Sequence, residues 1–153
     1  MATLMGLGLC IDDLNSTFGT SVSPPVQPGT MVESDEGKKY MFVYNAGSTS
    51  ITQYYPAYHT STTVKGDVGS AGLAAGCVAG VAVTAIGSSE YGWIQIKGYI
   101  TAPVAAQVTT TGCPLIGGTA AFATPTQVYE YAAARAITVR TNAGTVIVDL
   151  SLG

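Results

Sequence analysis

Apolar and polar residues alternate with a period of two along most of this chain. Between Cys77 and Gly98, Val81, Val83 and Ala85 alternate with Ala82, Thr84 and Ile86, as in a strand that faces a core on one side. Gly87-Ser88-Ser89-Glu90-Tyr91-Gly92 has turn chemistry, and Ile94 and Ile96 then alternate with Trp93, Gln95 and Lys97 before Gly98 punctuates the stretch. The pattern predicts an antiparallel hairpin with a short loop. It also turns Trp93 away from the face of Ile94 and Ile96. A tryptophan left outward exposes apolar surface, so two environments suit Trp93: cover by another subunit or a folded-over loop, or the core of a sheet covered on both faces.

The wording recurs at the C-terminus. Ala136-Ile137-Thr138-Val139-Arg140 and Thr145-Val146-Ile147-Val148-Asp149-Leu150 flank the turn Thr141-Asn142-Ala143-Gly144. This recurrence fits a duplication, and fits equally the ordinary look of antiparallel sheet. Thr30-Met31-Val32-Glu33, the polar turn Ser34-Asp35-Glu36-Gly37-Lys38 and the strand Lys39-Tyr40-Met41-Phe42-Val43-Tyr44-Asn45 form a third strand–turn–strand unit. Tyr40, Phe42 and Tyr44 fall on one face of that strand, Met41 and Val43 on the other, which predicts cover on both sides.

Weaker signals fill the gaps. Ile51-Thr52-Gln53-Tyr54-Tyr55 reads as a strand stopped by Pro56, and the glycine-rich run 66–80 as a connection. A phosphate loop would need a helix after its glycines and a Lys-Ser/Thr close, and neither is present. Residues 99–104 and 107–109 continue as strand, with Pro103 at an edge or bulge. Gly112-Cys113-Pro114-Leu115-Ile116-Gly117-Gly118 is a further turn. Ala132-Ala133-Ala134 with Tyr129 and Glu130 is the one helix-leaning stretch, too short to stand alone. The fold class expected is all-β, a small antiparallel β-sandwich or barrel. Residues 1–29 are expected as an extended N-terminal arm and residues 30–153 as the β-rich domain. The arm carries Leu4, Met5, Leu7, Leu9 and Ile11 ahead of the extended Ser23-Pro24-Pro25-Val26-Gln27-Pro28-Gly29. It suits packing on a neighbour, or alternatively a first edge strand followed by a loop.

Composition changes this picture in one respect. Of 153 residues only 10% are charged and 47% are hydrophobic, with 19 glycines and a net charge of -3. Ordinary domains have about 25% charged residues. So little charge gives little repulsion between copies, which favours a surface covered in an assembly. The acidic balance and scattered basic residues argue against a nucleic-acid partner. No uninterrupted apolar run has the length of a membrane helix. The start lacks a basic segment and meets Asp12 and Asp13 early, so synthesis and retention in the cytosol, or packaging from it, are expected.

Candidate chemistry is sparse. Cys10, Cys77 and Cys113 are widely spaced and read as reduced structural thiols. His59 is the sole histidine, which rules out a histidine metal cluster. Asp35 and Glu36 beside Lys38 and Lys39 form a solvated tip, unlike a carboxylate pair with a raised pKa. No enzyme activity, cofactor or metal is expected. Tyr54, Tyr55 and Tyr58 with His59 form the densest aromatic cluster. Tyrosine of this density suits a protein interface or core, and less well a sugar platform, because the acids and amides that bind sugars are few nearby.

Three segments resemble the decoration (cement) proteins of tailed bacteriophages. They are Gly37-Lys38-Lys39-Tyr40-Met41-Phe42-Val43-Tyr44-Asn45; Ala79-Gly80-Val81-Ala82-Val83 leading to Tyr91-Gly92-Trp93-Ile94-Gln95-Ile96-Lys97-Gly98; and Gly144-Thr145-Val146-Ile147-Val148-Asp149-Leu150. The resemblance implies a β-rich, usually trimeric protein on the exterior of the capsid, made in the host cytoplasm. Its implied partners are the major capsid protein and its own copies, without nucleic acid or membrane. It carries over no catalytic residue. The candidate oligomer or capsid contacts are Trp93, Tyr54, Tyr55, Tyr58, Leu7 and Leu9. The alternative is a carbohydrate- or receptor-binding module of a virion head fibre or tail, stacking sugars on Tyr54, Tyr55, Tyr58 and Trp93.

Overall fold

The computed structural model describes residues 4–5, 17–19, 24, 26–61, 64, 66–70, 78–105, 114–117, 121–123, 134–136 and 144–152. All secondary structure among these is strand, as the alternation predicts. In chain order the strands are β1 (Leu4–Met5), β2 (Phe18–Gly19), β3 (Met31–Ser34), β4 (Lys39–Asn45), β5 (Pro56–His59) and β6 (Asp67–Gly69). They continue with β7 (Val78–Ala82), β8 (Glu90–Val104), β9 (Pro114–Gly117), β10 (Phe122–Ala123), β11 (Ala134–Ala136) and β12 (Gly144–Ser151).

Two closed five-stranded rings share β8. The first runs β4-β6-β5-β7-β8 and returns to β4; the second runs β8-β10-β9-β11-β12 and returns to β8. Closure leaves few free edges within either ring. Most pairings are antiparallel, but β4 pairs β6 in parallel and β10 pairs β8 in parallel. The sheet is therefore mixed, where the sequence led us to expect an antiparallel one. Parallel neighbours need crossovers, and these leave no mark in hydrophobic alternation.

The changeover between rings lies within β8. Its residues up to Lys97 pair with β4, and those from Lys97 onward with β12. Gly98, expected to end the strand, instead sits inside it with a φ of 92°. That left-handed backbone suits glycine. Gln95 secures the irregularity: its buried Nε2 donates to the carbonyls of Lys97 (3.1 Å) and Tyr99 (3.2 Å). Pro103 is near the end of this shared strand rather than at a sheet edge. It faces Thr145 of β12, and β10 pairs only at the next residue, Val104.

Three apolar clusters follow from the alternation. Inside the first ring, Met41, Val43, Ala57, Val68, Ala82, Ile94 and Ile96 meet Ile51 and Ile86. Inside the second, Ala102, Val104, Leu115, Phe122, Val146, Val148 and Leu150 pack together, and Tyr58, Val78 and Val81 of the first ring join them. The third covers the outside of β4 and β8 with Val32, Tyr40, Phe42 and Trp93. Both faces of β4 are thus buried, as its sequence predicts. The turn at 35–37 is exposed, with ion pairs Lys38–Glu36 at 3.4 Å and Lys39–Glu33 at 3.7 Å.

Several local expectations are corrected. The hairpin forms, but its first strand stops at Ala82, so 83–86 belong to the connection and Tyr91 and Gly92, expected in the turn, lie in β8. Pro114–Gly117, expected within a turn, is β9, paired with β10 and β11. Pro56 begins β5 instead of stopping a strand. Ile51 makes an isolated bridge to Ile86, and 52–55 form a turn. Proline is well placed at a first strand position, where its fixed φ fits and its missing N–H costs least. The glycine-rich run is also more than a connection, since its ends are β6 and β7. A Cβ on Gly80 would lie 2.7 Å from the Gln95 carbonyl oxygen, so glycine there permits close approach of β7 to β8. Of the helix-leaning stretch only Ala134 is described, and it lies in β11. Cys10, Cys77 and Cys113 lie outside the described residues. Within the predicted arm, β1 pairs with β3 and β2 pairs with β8 of the same chain.

Candidate interaction surface

Among the described residues no group of three or more His, Cys, Asp or Glu side chains is placed to hold a metal. His59, at the end of β5, is half-buried, and burial lowers its pKa below the ordinary value. Tyr40 is shifted the other way: burial, and secondarily the charge of Glu36, raise its pKa.

The predicted contact residues separate. Trp93 does turn away from Ile94 and Ile96, but it is only 1% exposed. Its cover is its own chain: Phe42 meets it edge-on at 5.0 Å, and Val26, Val32 and Tyr40 belong to the same cluster. The covering segment is tied down by Gly29 N–H donating to the Phe42 carbonyl and Phe42 N–H donating to that of Thr30. Tyr58, at 2%, is likewise in the core. Neither presents a ring for contact with a partner, because the strands are covered on both faces at these two positions. Leu7 and Leu9 lie outside the described residues.

Tyr54 and Tyr55 remain at the surface, 44% and 37% exposed. Their turn is fixed from several sides. Tyr54 N–H donates to the Ala82 carbonyl, Ala82 N–H donates to that of Tyr55, and Gln53 Nε2 donates to that of Val83. Tyr54 holds a φ of 66°, a left-handed conformation uncommon for an aromatic residue.

Asn45 joins this turn's loop to the neighbouring one. Fully buried at the end of β4, its Nδ2 lies 3.0 Å from the carbonyls of Thr49, Ile86 and Gly87, while its Oδ1 accepts from Gly47 N–H. Ser88 Oγ donates to the Gly47 carbonyl, and Ser89 N–H to that of Asn45. The loops 46–55 and 83–89 therefore form one bonded end of the first ring. Sequence reading passed over Asn45, although asparagine at a strand end before Ala-Gly is turn chemistry. It also passed over an outward pair on the second ring. Tyr99 is 60% and Ile147 41% exposed, two rungs apart on the β8–β12 ladder, where Tyr99 faces Asp149 and Ile147 faces Thr101. Alternation alone would place both opposite the buried Val146 and Val148.

No protein-family model and no curated protein sequence matches the chain. Its fold is similar to the crystal structure of the N base of the head fibre protein gp8.5 of bacteriophage phi29. The TM-score is 0.53 at 10% identity, over 74% of this chain and 96% of that one. At that identity the likeness is one of fold.

Proposed function

We propose that this chain is a structural protein of a phage virion, bound to the outside of the capsid lattice, which it stabilises without performing chemistry. The observation that carries the reading is the fold: 96% of the phi29 fibre base is matched by 74% of this chain. The three cement-like segments support it independently, since all fall on β4, β7–β8 and β12, the strands that build the two rings. Sparse charge fits a protein whose surface is covered by the lattice and by its own copies, which we take to be a trimer.

Virions lacking the chain are the test. Purified protein added back is expected to bind at a fixed ratio to the major capsid protein and to raise the temperature at which the genome is released. Absence of the chain from purified virions overturns the reading. A second reading, the base of a head fibre, is favoured by what the phi29 structure is. It predicts few copies per particle, each with a projecting partner, and quantitative mass spectrometry of virions separates the two. The sugar-binding alternative loses support from the burial of Trp93 and Tyr58, half of its aromatic platform.

A further inference from the structure

We propose that the end of the first ring built by loops 46–55 and 83–89 is the face that docks on the capsid, and that the surface it meets there is an uncharged protein surface. This rests on the capsid-binding reading above. Neither loop contains Asp, Glu, Lys or Arg; they consist of Ala, Gly, Ser, Thr, Val, Ile, Gln and the exposed pair Tyr54 and Tyr55. Glu90, which follows immediately, turns its carboxylate back to accept from Gly87 N–H at 2.9 Å. Apart from that half-buried carboxylate the two loops offer no charge, and such a face complements an uncharged one, since a charged partner would lose solvation there and gain little counter-charge.

The face is also ordered before anything binds. Asn45 and the Ile51–Ile86 bridge join the two loops, and Ala82 and Val83 hold the tyrosine turn from below. Tyrosine flanked by Ser, Gly and Thr gives large contact area at small entropic cost, more so when the backbone is already fixed. The left-handed Tyr54 is consistent with a turn held in place for presentation rather than for packing.

A glycan fits the same face poorly. Sugar hydroxyls are gripped by planar amides, carboxylates or guanidinium groups. The amide of Gln53 is committed to Val83, and that of Asn45 is buried and used. The exposed Tyr99 on the second ring faces Asp149 across the ladder and follows Lys97 by two residues, and Ile147 precedes Asp149 by two, so that patch lacks the neutrality argued here.

The test uses capsids from a phage deleted for the chain and three purified proteins: wild type, the double variant Tyr54→Asn/Tyr55→Ser, and Tyr99→Ser. Asparagine tolerates the left-handed backbone, so the turn is kept while the rings are lost. Wild-type binding by co-sedimentation is expected to stay level from about 0.1 M to about 1 M salt, although the Debye length falls from about 10 Å to about 3 Å. The double variant, with an unchanged Trp93 emission spectrum, is expected to bind at least about 30-fold more weakly, and Tyr99→Ser as wild type. Wild-type-like binding by the double variant, a steep loss of binding with salt, or glycan binding that needs the two tyrosines overturns this assignment alone. Failure of the wild type to bind any capsid overturns the capsid-binding reading with it.

Discussion

Replacing Asn45 by aspartate tests the junction of the two loops, because the side chain is buried and its roles are unequal. The Nδ2 faces three carbonyls and the Oδ1 one amide N–H, so an aspartate keeps the Gly47 contact but presents a carboxylate to acceptors. The acceptors are not orphaned by the change. Ile86 O still receives Ile51 N–H, Gly87 O still receives Glu90 N–H, and Thr49 is exposed to water. Deleting the amide therefore costs only the net worth of about two hydrogen bonds, and Asn45→Ala also strands the Gly47 N–H. Together these give about 2–3 kcal/mol for Asn45→Ala, independent of pH.

Asn45→Asp adds a pH-dependent part. Burial and three facing carbonyls raise the folded-state pKa of the introduced carboxyl group above its unfolded value of about 3.9. Stability is then fully present below about pH 3.9 and is lost as pH rises towards the folded pKa, at up to about 1.4 kcal/mol per pH unit. At pH 7 the extra loss is bounded by the cost of keeping the acid protonated, about 4 kcal/mol. The assay is urea unfolding from pH 4 to 8, followed by the fluorescence of the single, buried Trp93. A pH-flat difference between Asn45→Asp and wild type, or a loss below about 0.5 kcal/mol for Asn45→Ala, would refute this account of the junction.

Three further outcomes are expected. Trp93→Ala removes a tryptophan enclosed by its own chain and should cost the isolated protein about 3–5 kcal/mol in urea unfolding; a variant of wild-type stability that merely fails to assemble contradicts the packing described here. Gly98→Ala should cost about 1–3 kcal/mol, chiefly through the left-handed backbone, because the close neighbour of its Cβ is the flexible Lys38 side chain; a neutral effect in thermal melts means the strand relaxes at the changeover. His59, whose pKa is lowered by burial, favours the unfolded state as pH falls below its unfolded value of about 6.5. His59→Gln should therefore soften the acid-side loss of stability, and identical pH–stability profiles for the two proteins would exclude this contribution.

The sequence by itself determined the strands that alternate strongly and what those strands bury. Lys39–Asn45 with both faces covered and the opposed sides of Trp93 and Ile94 follow from a period of two, which fixes where each side chain points before any neighbour is known. An antiparallel hairpin was legible as well, although its connection is 83–89 rather than 87–92. It also marked Tyr54 and Tyr55 as candidate contacts, and these lie at the surface. Alternation says which side a residue faces, but not what lies on that side. That gap explains why Trp93 and Tyr58 read as contacts equally well: only the fold laid the 26–32 segment over one and the second ring's core against the other. Ring closure, the two parallel pairings and the division of β8 at Gly98 were likewise decided by tertiary structure, because strand partners are chosen between segments far apart in the chain. Asn45 belongs to the same class. Its three carbonyl partners come from two loops, and the chemistry of one amide acquires that role only once folding brings both loops to the same end of the ring.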